Sequence, residues 1–478
     1  MDRQKKQVII IGAGMSGLST AFWLRQKGIE ATVLERSDRV GGVIRSEKID
    51  GYTIDHAANC LMNFLPEVYH LCDTVGLSER RVFRSDTATR RYMLKGGRPQ
   101  SVPLTPKAML ASPFWPWRAK LRMAMEPLVP ASRPDTEETV AGFIRRRFGN
   151  ELLEQAIEPF VAGTLAGDPE QACVRSTMPK FYEFEQRYGS VLRGVVASKL
   201  AGTRTRCPMR LFSFRDGMES LPAAIGRYLG KSLQSGVEVR EVERRGRQWR
   251  IETICDGQST EVEADTLVIA TPAPIAAQLL HPVTELAAEQ LNSIAYAPMA
   301  VMTLGFRSSD VGHNLDGIGC LIPKREGRYL LGTLWNSSLF AERAPKGRVL
   351  LTCYMGGLSH PDVLNYDDGQ LLDMALVDLR QMLDIRGEPE FMRVIRHHQG
   401  LPQYHLGHQQ RLATIREQLQ LAPGLHLCGN YLDGVSIRDC VARGRLLAEQ
   451  IASDVGRDGK LALVPAAKSP ITGQRAVG

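Results

Sequence analysis

The sequence predicts an α/β fold: a Rossmann-type dinucleotide-binding domain interleaved with a mixed-sheet domain and an α-helical domain. Three observations predict it. A glycine-rich turn joins an apolar strand to a helix at the start of the chain, and a second strand-turn-helix unit recurs near its end. Between them, alternating strands and a Pro-rich, basic helical stretch are left over to build something else. The 478 residues suffice for about three domain-sized units.

Residues 8–11 (VIII) read as a buried parallel strand, followed by Gly12-Ala13-Gly14-Met15-Ser16-Gly17, an amphipathic helix closing at Gly28, and a second strand over 31–34. In such a unit Gly12 permits the tight turn and Gly14 lets the backbone approach a pyrophosphate. Gly17 lets helix and strand pack closely, with the helix N-terminus facing the phosphate charge. Glu35 lies 21 residues after Gly14, where a carboxylate can accept from the ribose hydroxyls. Ser16 and Arg36 stand in the same two turns and join the cofactor-binding set. Gly41-Gly42 then offers a second close backbone approach to a long ligand, which FAD uses and NAD does not need. The charged start running into the apolar 8–11 resembles a leader, but Gly12, Gly14 and Gly17 interrupt the apolar run, so it reads as a strand.

From 99 to 149 the chain turns Pro-rich and basic. Phe114-Trp115-Pro116-Trp117-Arg118 precedes Lys120 and Arg122, and Arg145-Arg146-Arg147 follows. Two Trp beside cations suit a bilayer interface, and an ordinary helical domain with a solvated basic face is the competing reading. Residues 135–138 read as a helix start. Strands follow over 236–251, with Val242 among the cofactor-binding candidates, and over 261–270. The apolar, strand-rich 291–357 fits a sheet walling a greasy cavity. His397-His398 and His405/His408 lack acidic or thiol companions at metal spacing, so no metal site is assigned. Residues 423–430 form a strand entering a glycine turn with Gly429 and Asn430. Val435, Ser436 and Ile437 then open a helix whose apolar face is Val441, Leu446, Leu447 and Ile451. A helix starting there would aim N–H groups at the pyrimidine end of a flavin.

The net charge of +8 is modest for this length and does not call for nucleic acid. Nine scattered Cys, never in a CxxC pair, fit free thiols in a reducing compartment. No stretch reaches the length of a spanning helix. The expected location is therefore cytoplasmic, with peripheral association to the inner or cell membrane.

With these residues in place, the chain resembles the flavin-dependent protoporphyrinogen oxidase family of haem biosynthesis, to about residue 456. The resemblance is carried by Leu401-Pro402-Gln403-Tyr404-His405-Leu406-Gly407-His408, Ile294-Ala295-Tyr296-Ala297-Pro298, Gly332-Thr333-Leu334, and Gly429-Asn430 through Asp439-Cys440. It implies an FAD-binding domain of the glutathione-reductase/amine-oxidase-like type, built from 1–97, 211–272 and 421–456. It also implies a helical membrane and substrate domain over 98–210 and a substrate-binding domain over 273–420, while the Pro-containing, small-residue tail over 457–478 reads as flexible from its composition. The implied reaction is six-electron oxidation of protoporphyrinogen IX, with molecular oxygen or another electron acceptor and hydrogen peroxide as product; a homodimer is compatible with it. By the resemblance Arg91 pairs with a substrate propionate and Asn59 lies near the substrate acid groups. Gly163 faces the pyrrole nitrogens, Leu321 and Leu334 sandwich a pyrrole, Tyr354 stands where relatives carry Phe or Met, and Arg45 lies near the flavin. No side chain is assigned as catalytic, since the flavin N5 takes the hydride. The segment Asp55-His56-Ala57-Ala58-Asn59 departs from the family's acid followed by Gly-Pro, and Asp216-Gly217 from its Gly-Gly. Coproporphyrinogen III oxidation is the nearest alternative; a flavin amine oxidase or polyene desaturase, or a non-catalytic tetrapyrrole-binding flavoprotein, is more distant.

Overall fold

Short runs of β-branched residues place the first sheet. Val8–Ile11, Ala31–Glu35, Thr266–Ile269, Leu425–Leu427 and Leu233–Ser235 pair in parallel, in the order Leu233, Ala31, Val8, Thr266, Leu425. Parallel strands covered on both faces need apolar side chains on both. Val8 and Ile10 accordingly join one core cluster with the helices Met15–Gln26, Ser220–Leu229 and Ile437–Arg457. Ile9 and Ile11 join another beneath an antiparallel three-stranded sheet, Val237–Arg245, Gln248–Cys255 and Gln258–Ala264. The structure is a computed structural model and describes residues 7–103, 105–133, 136–201 and 210–457. The tail expected beyond 457, Asp135 of the expected helix start, and Cys207 lie outside the described residues.

The run expected over 261–270 is two strands rather than one. Asp265 breaks it: its carboxylate accepts from the Gln7 N–H at 2.8 Å, and the chain passes there from the antiparallel sheet into the parallel one.

A second sheet has seven strands, ordered Phe391–Pro402, Tyr296–Arg307, Arg348–Gly356, Leu330–Trp335, Gly317–Leu321, Arg90–Lys95 and Arg98–Ser101. The last two form a hairpin through Gly96 and Gly97, both at positive φ (62° and 74°), a two-residue turn that glycine permits. This hairpin belongs to the seven-stranded sheet, so the division expected at 97/98 cuts through it. One face of the sheet packs on the helix Asp368–Leu383 through Tyr92, Leu94, Cys320, Cys353 and Met302. Alternation turns Met93, Leu321, Leu334 and Tyr354 to the other face.

The helical segment packs around Phe114, Trp115, Phe143 and Ile144. Trp115 is therefore a core residue and not the interfacial one expected of it; Trp117 alone of the pair is exposed, at 68%. Arg147 is likewise no part of a solvated basic face. It is fully buried between Glu126 and Glu185, and its remaining N–H groups reach backbone carbonyls, including that of Gly189 at 3.0 Å. In the C-terminal helix, Val441, Leu447 and Ile451 are buried, but Leu446 is 53% exposed and leaves the apolar face expected of it to Ala448.

Candidate functional site

The carboxyl ends of four parallel strands converge where the expected nucleotide-binding residues lie. Gly12 follows the first strand at φ +101°, and a Cβ there would stand 3.0 Å from the Ala270 carbonyl at the end of Thr266–Ile269. A Cβ on Gly17 would fall 2.0 Å from the Gly12 carbonyl, so helix and turn touch as backbone. Gly14 has nothing within 4 Å of where its Cβ would be, while a Cβ on Gly42 would lie 3.6 Å from Gly14 Cα. Two glycine backbones thus face each other across a gap. Gly41 N–H also donates to the Ala13 carbonyl at 2.8 Å.

Glu35 closes its strand, accepting from the Ala13 N–H at 2.7 Å and from the Ser37 N–H at 2.9 Å. Arg36, beside it, is exposed. The helix Met15–Gln26 starts at Gly14 with no side-chain cap and no acid in its first turn, so its N–H groups remain for a ligand. Ser16 is buried in that turn, and its carbonyl accepts from Thr20 Oγ1 at 2.9 Å. Arg45 is half-exposed and pairs with Glu47 at 3.3 Å. Val242 is fully buried in its antiparallel strand, opposite Ile251.

The chain's other end arrives at the same place. Cys428 N–H donates to the Ile269 carbonyl at 3.0 Å, and Thr20 Oγ1 approaches Cys428 Sγ at 3.6 Å. Gly429, Asn430, Val435, Ser436 and Ile437 follow, leading into the C-terminal helix. The Asn430 carbonyl accepts from the Tyr404 hydroxyl, and Gly434 N–H donates to that hydroxyl at 2.9 Å. Ser436 N–H and Oγ both donate to Asp439, at 3.2 and 2.5 Å. The fit to a dinucleotide is therefore physical. An open glycine cradle and an uncapped helix N-terminus meet beside Thr271 Oγ1, a buried hydroxyl without a hydrogen-bond partner.

The residues expected to touch substrate gather on the face of the seven-stranded sheet that meets the helical segment. Leu321 opposes Gly332, which opposes Tyr354, and Leu334 opposes Gly319 and Thr352. Gly163, on the helix Glu158–Leu165, abuts them: a Cβ there would lie 2.5 Å from Leu321 Cδ2 and 3.3 Å from the Leu331 carbonyl. Arg91 precedes Met93 by two on the edge-side strand and so shares this face, while Arg90 turns away to pair with Asp316 at 2.9 Å. Arg91 is exposed and has no ion pair among the described residues. Asn59 is 4% exposed, and its amide goes to protein partners, donating to the Tyr354 oxygen at 2.9 Å and the Ala57 carbonyl at 3.2 Å. Burial pushes the Tyr354 phenol well above its ordinary range, so the hydroxyl stays protonated.

Sequence reasoning named Asp55 only as the acid of a departing segment and missed Arg343, Asn336 and Thr352 beside it. Asp55 pairs with Arg343 at 2.9 Å, both nearly inaccessible, and accepts from Ser46 Oγ at 2.5 Å and the Met218 N–H at 2.8 Å. Burial pushes the Asp55 carboxyl up, against the pull of Arg343. Asn336 and Thr352 are also buried, and both reach Asn59. Arg343 sits in an ordinary charged turn of the sequence, and no local pattern marks it. Asn336, a lone amide just after an apolar strand, was the one available signal. The histidines have local duties: His408 stacks on Tyr404 at 4.6 Å, and His397 contacts the His56 carbonyl at 2.9 Å.

Comparison with known proteins is consistent along nearly the whole chain. The family described as Flavin containing amine oxidoreductase matches residues 15–452. Protoporphyrinogen oxidase 1, chloroplastic, of Arabidopsis thaliana is 32% identical, covering 91% of this chain and 85% of its own. Coproporphyrinogen III oxidase of Bacillus subtilis is 28% identical, with 93% and 97% covered. Among solved structures, reduced UDP-galactopyranose mutase superposes with a TM-score of 0.71 at 15% identity, covering 94% of this chain and 96% of that one. Cyclohexylamine oxidase from Brevibacterium oxydans does so with 0.67 at 18%, covering 95% and 100%. At such identities the likeness is one of fold.

Proposed function

Because the chain belongs to the flavin containing amine oxidoreductases, in their protoporphyrinogen oxidase branch, and is an FAD-dependent oxidoreductase of porphyrin biosynthesis, we propose that it oxidises protoporphyrinogen IX to protoporphyrin IX. The observation that carries this reading is the aliphatic surface, where Gly163 packs on Leu321 beside Leu334 and Tyr354, with Arg91, unpaired among the described residues, on the same face. A flat apolar ring with acid groups at one edge suits such a surface. Bulk at Gly163 would collide with Leu321 and the Leu331 carbonyl.

FAD supplies the hydride acceptor when bound. Gly12, Gly14, Ser16 and Gly17 would hold its pyrophosphate at the helix N-terminus, Glu35 and Arg36 its ribose end, and Gly41-Gly42 its second pass. Val242, Arg45, Gly429, Asn430, Val435, Ser436 and Ile437 complete the set. The chain's own residues exclude water from the slot, hold the macrocycle, and place a cation for a propionate. No side-chain base is needed when position and dryness are the protein's contribution. With molecular oxygen as acceptor, each porphyrinogen consumes three O2 and yields three hydrogen peroxide.

Coproporphyrinogen III is the second reading, favoured by the Bacillus subtilis relative of that name. Its two further propionates would call for more cations at the slot mouth. Side-by-side turnover decides: the proposal expects protoporphyrinogen IX to give the higher kcat/KM by porphyrin fluorescence, and the reverse order overturns it.

Peripheral membrane contact belongs to the same proposal. No helix among the described residues is long and apolar enough to cross a membrane. Trp117, Leu121, Met125 and Leu128 nevertheless form an exposed row, and Leu192, Val196 and Leu200 form another on the helix Val191–Leu200. Arg118, Lys120, Arg193 and Lys199 flank them and no acid interrupts either helix, a composition suited to an anionic bilayer surface on the cytoplasmic side.

A further inference from the structure

Behind the slot, the side chains of three residues donate hydrogen bonds in one direction. Thr352 Oγ1 donates to Asn336 Oδ1 at 2.9 Å, Asn336 Nδ2 to Asn59 Oδ1 at 2.6 Å, and Asn59 Nδ2 to the Tyr354 oxygen at 2.9 Å. The direction is imposed. Asn59 must also serve the Ala57 carbonyl, which only accepts, so its Nδ2 faces Ala57 and Tyr354 and its Oδ1 faces Asn336. Thr352, Asn336 and Asn59 are 1%, 2% and 4% exposed, so water does not compete for these bonds. Aligned bonds in a dry interior polarise one another and make the terminal hydroxyl a better donor.

Tyr354 therefore accepts from behind, and its own O–H has no acceptor among the described residues. Its side chain is half-buried against Ala162, Ala166, Ala297, Met299 and Leu331, opposite Gly332. The groups acting most strongly on the phenol are the Asp55 carboxylate, which Arg343 holds at 2.9 Å, and the thiols of Cys60 and Cys353, which burial keeps neutral. A carboxylate drawn in here would lose its hydration without a counter-charge, whereas a neutral acceptor loses far less. The donor thus suits a neutral ring atom.

A porphyrinogen ring presents pyrrole N–H groups, which only donate. Each two-electron step takes a hydride from a saturated bridging carbon and a proton from a pyrrole nitrogen, and that nitrogen becomes a neutral acceptor; after the third step a proton moves from the fourth bridging carbon to a ring nitrogen, leaving two N–H groups and two acceptor nitrogens. We propose that Tyr354, held by Asn59, Asn336 and Thr352, donates its hydroxyl hydrogen bond to a deprotonated ring nitrogen and so retains the partly oxidised macrocycle between successive dehydrogenations. The inference rests on the porphyrinogen reading above. Tyr354 is then a binding residue for the dehydrogenated ring, and Asn336 and Thr352 are positioning residues.

Tyr354→Phe keeps the ring and removes the donor, and Thr352→Val removes the head of the relay at a position opposite Leu334 that is only 1% exposed, with little change of volume. For each holoenzyme the dissociation constant of protoporphyrin IX, from fluorescence quenching, is compared with the KM for protoporphyrinogen IX. The ratio of the first to the second is expected to rise about three- to tenfold in Tyr354→Phe, the share of one hydrogen bond, and to move in the same direction in Thr352→Val. Flavin absorbance per protein checks that each variant is folded and loaded. Equal changes in both constants, or no change, overturn the proposal; if Tyr354→Phe does not retain flavin, the ratio in Thr352→Val decides alone. Failure of protoporphyrinogen and coproporphyrinogen alike to bleach the wild-type flavin anaerobically would instead sink the porphyrinogen reading, a separate outcome.

Discussion

Arg90 and Arg91 are adjacent and chemically identical, yet strand alternation separates their duties. Arg90 is held by Asp316, while Arg91 shares the slot face with Met93 and keeps its guanidinium unpaired among the described residues. Arg91→Ala should raise KM about tenfold, with a smaller fall in kcat, because a charge-assisted bond to a propionate anchors ground and transition states alike; an unchanged KM for both porphyrinogens would remove that role. His408 illustrates a different residue-level effect. It is fully buried, its Nδ1 has no hydrogen-bond partner, and burial pulls its pKa down to about 4. Since the folded value lies below the unfolded one, its contribution is complete above the ordinary histidine range and is lost as pH falls toward the folded value. The loss amounts to about 3 kcal/mol. His408→Phe, which keeps a ring against Tyr404, should show a smaller drop in Tm than the wild type between about pH 7 and pH 5. Equal slopes in thermal melts would rule out His408 as the source.

At the scale of elements, the contact between the first and last helices of the described chain sets the geometry of the nucleotide site. The two cross at Gly444, where a Cβ would lie 2.7 Å from Ser19 Cβ and 2.8 Å from the Thr20 nitrogen. Both neighbours are one turn from the open glycine cradle. Gly444→Val should force the helices apart, destabilise the protein by about 1–3 kcal/mol, and lower the flavin-to-protein absorbance ratio; a fully loaded variant with wild-type Tm would show that the crossing tolerates side-chain bulk. The apolar stripe of the last helix was legible from its period. Leu446 was not, because the period gives the centre of a face and the neighbouring helix determines its width.

The molecule as a whole carries two exposed apolar rows on its helical segment, linked by packing of the helix Val191–Leu200 on the short turn bearing Leu128. They lie on elements whose inner faces are fixed by the buried Arg147 cluster, so their exposure is built into the fold. Replacing Trp117, Leu121 and Leu200 by Ser should at least halve co-sedimentation with anionic vesicles and leave Tm near the wild-type value, since these side chains cover little of the core. Wild-type sedimentation of the triple variant would remove the rows from membrane contact.

The sequence by itself determined the α/β class, the glycine grip and its acid, and the recurrence of strand, turn and helix at the far end. Each of these is set by local backbone requirements: a turn that needs glycine, a strand buried on both faces, a helix N-terminus left uncapped. Only the tertiary structure decided which of two Trp is buried, that Arg147 is an interior charge, that the hairpin of residues 90–101 belongs to the seven-stranded sheet, and that Thr352, Asn336 and Asn59 line up with Tyr354. Those outcomes depend on partners from 16 to 295 residues away in the chain, beyond one turn or one strand, and a contact between such partners leaves no periodicity for a local reading to detect.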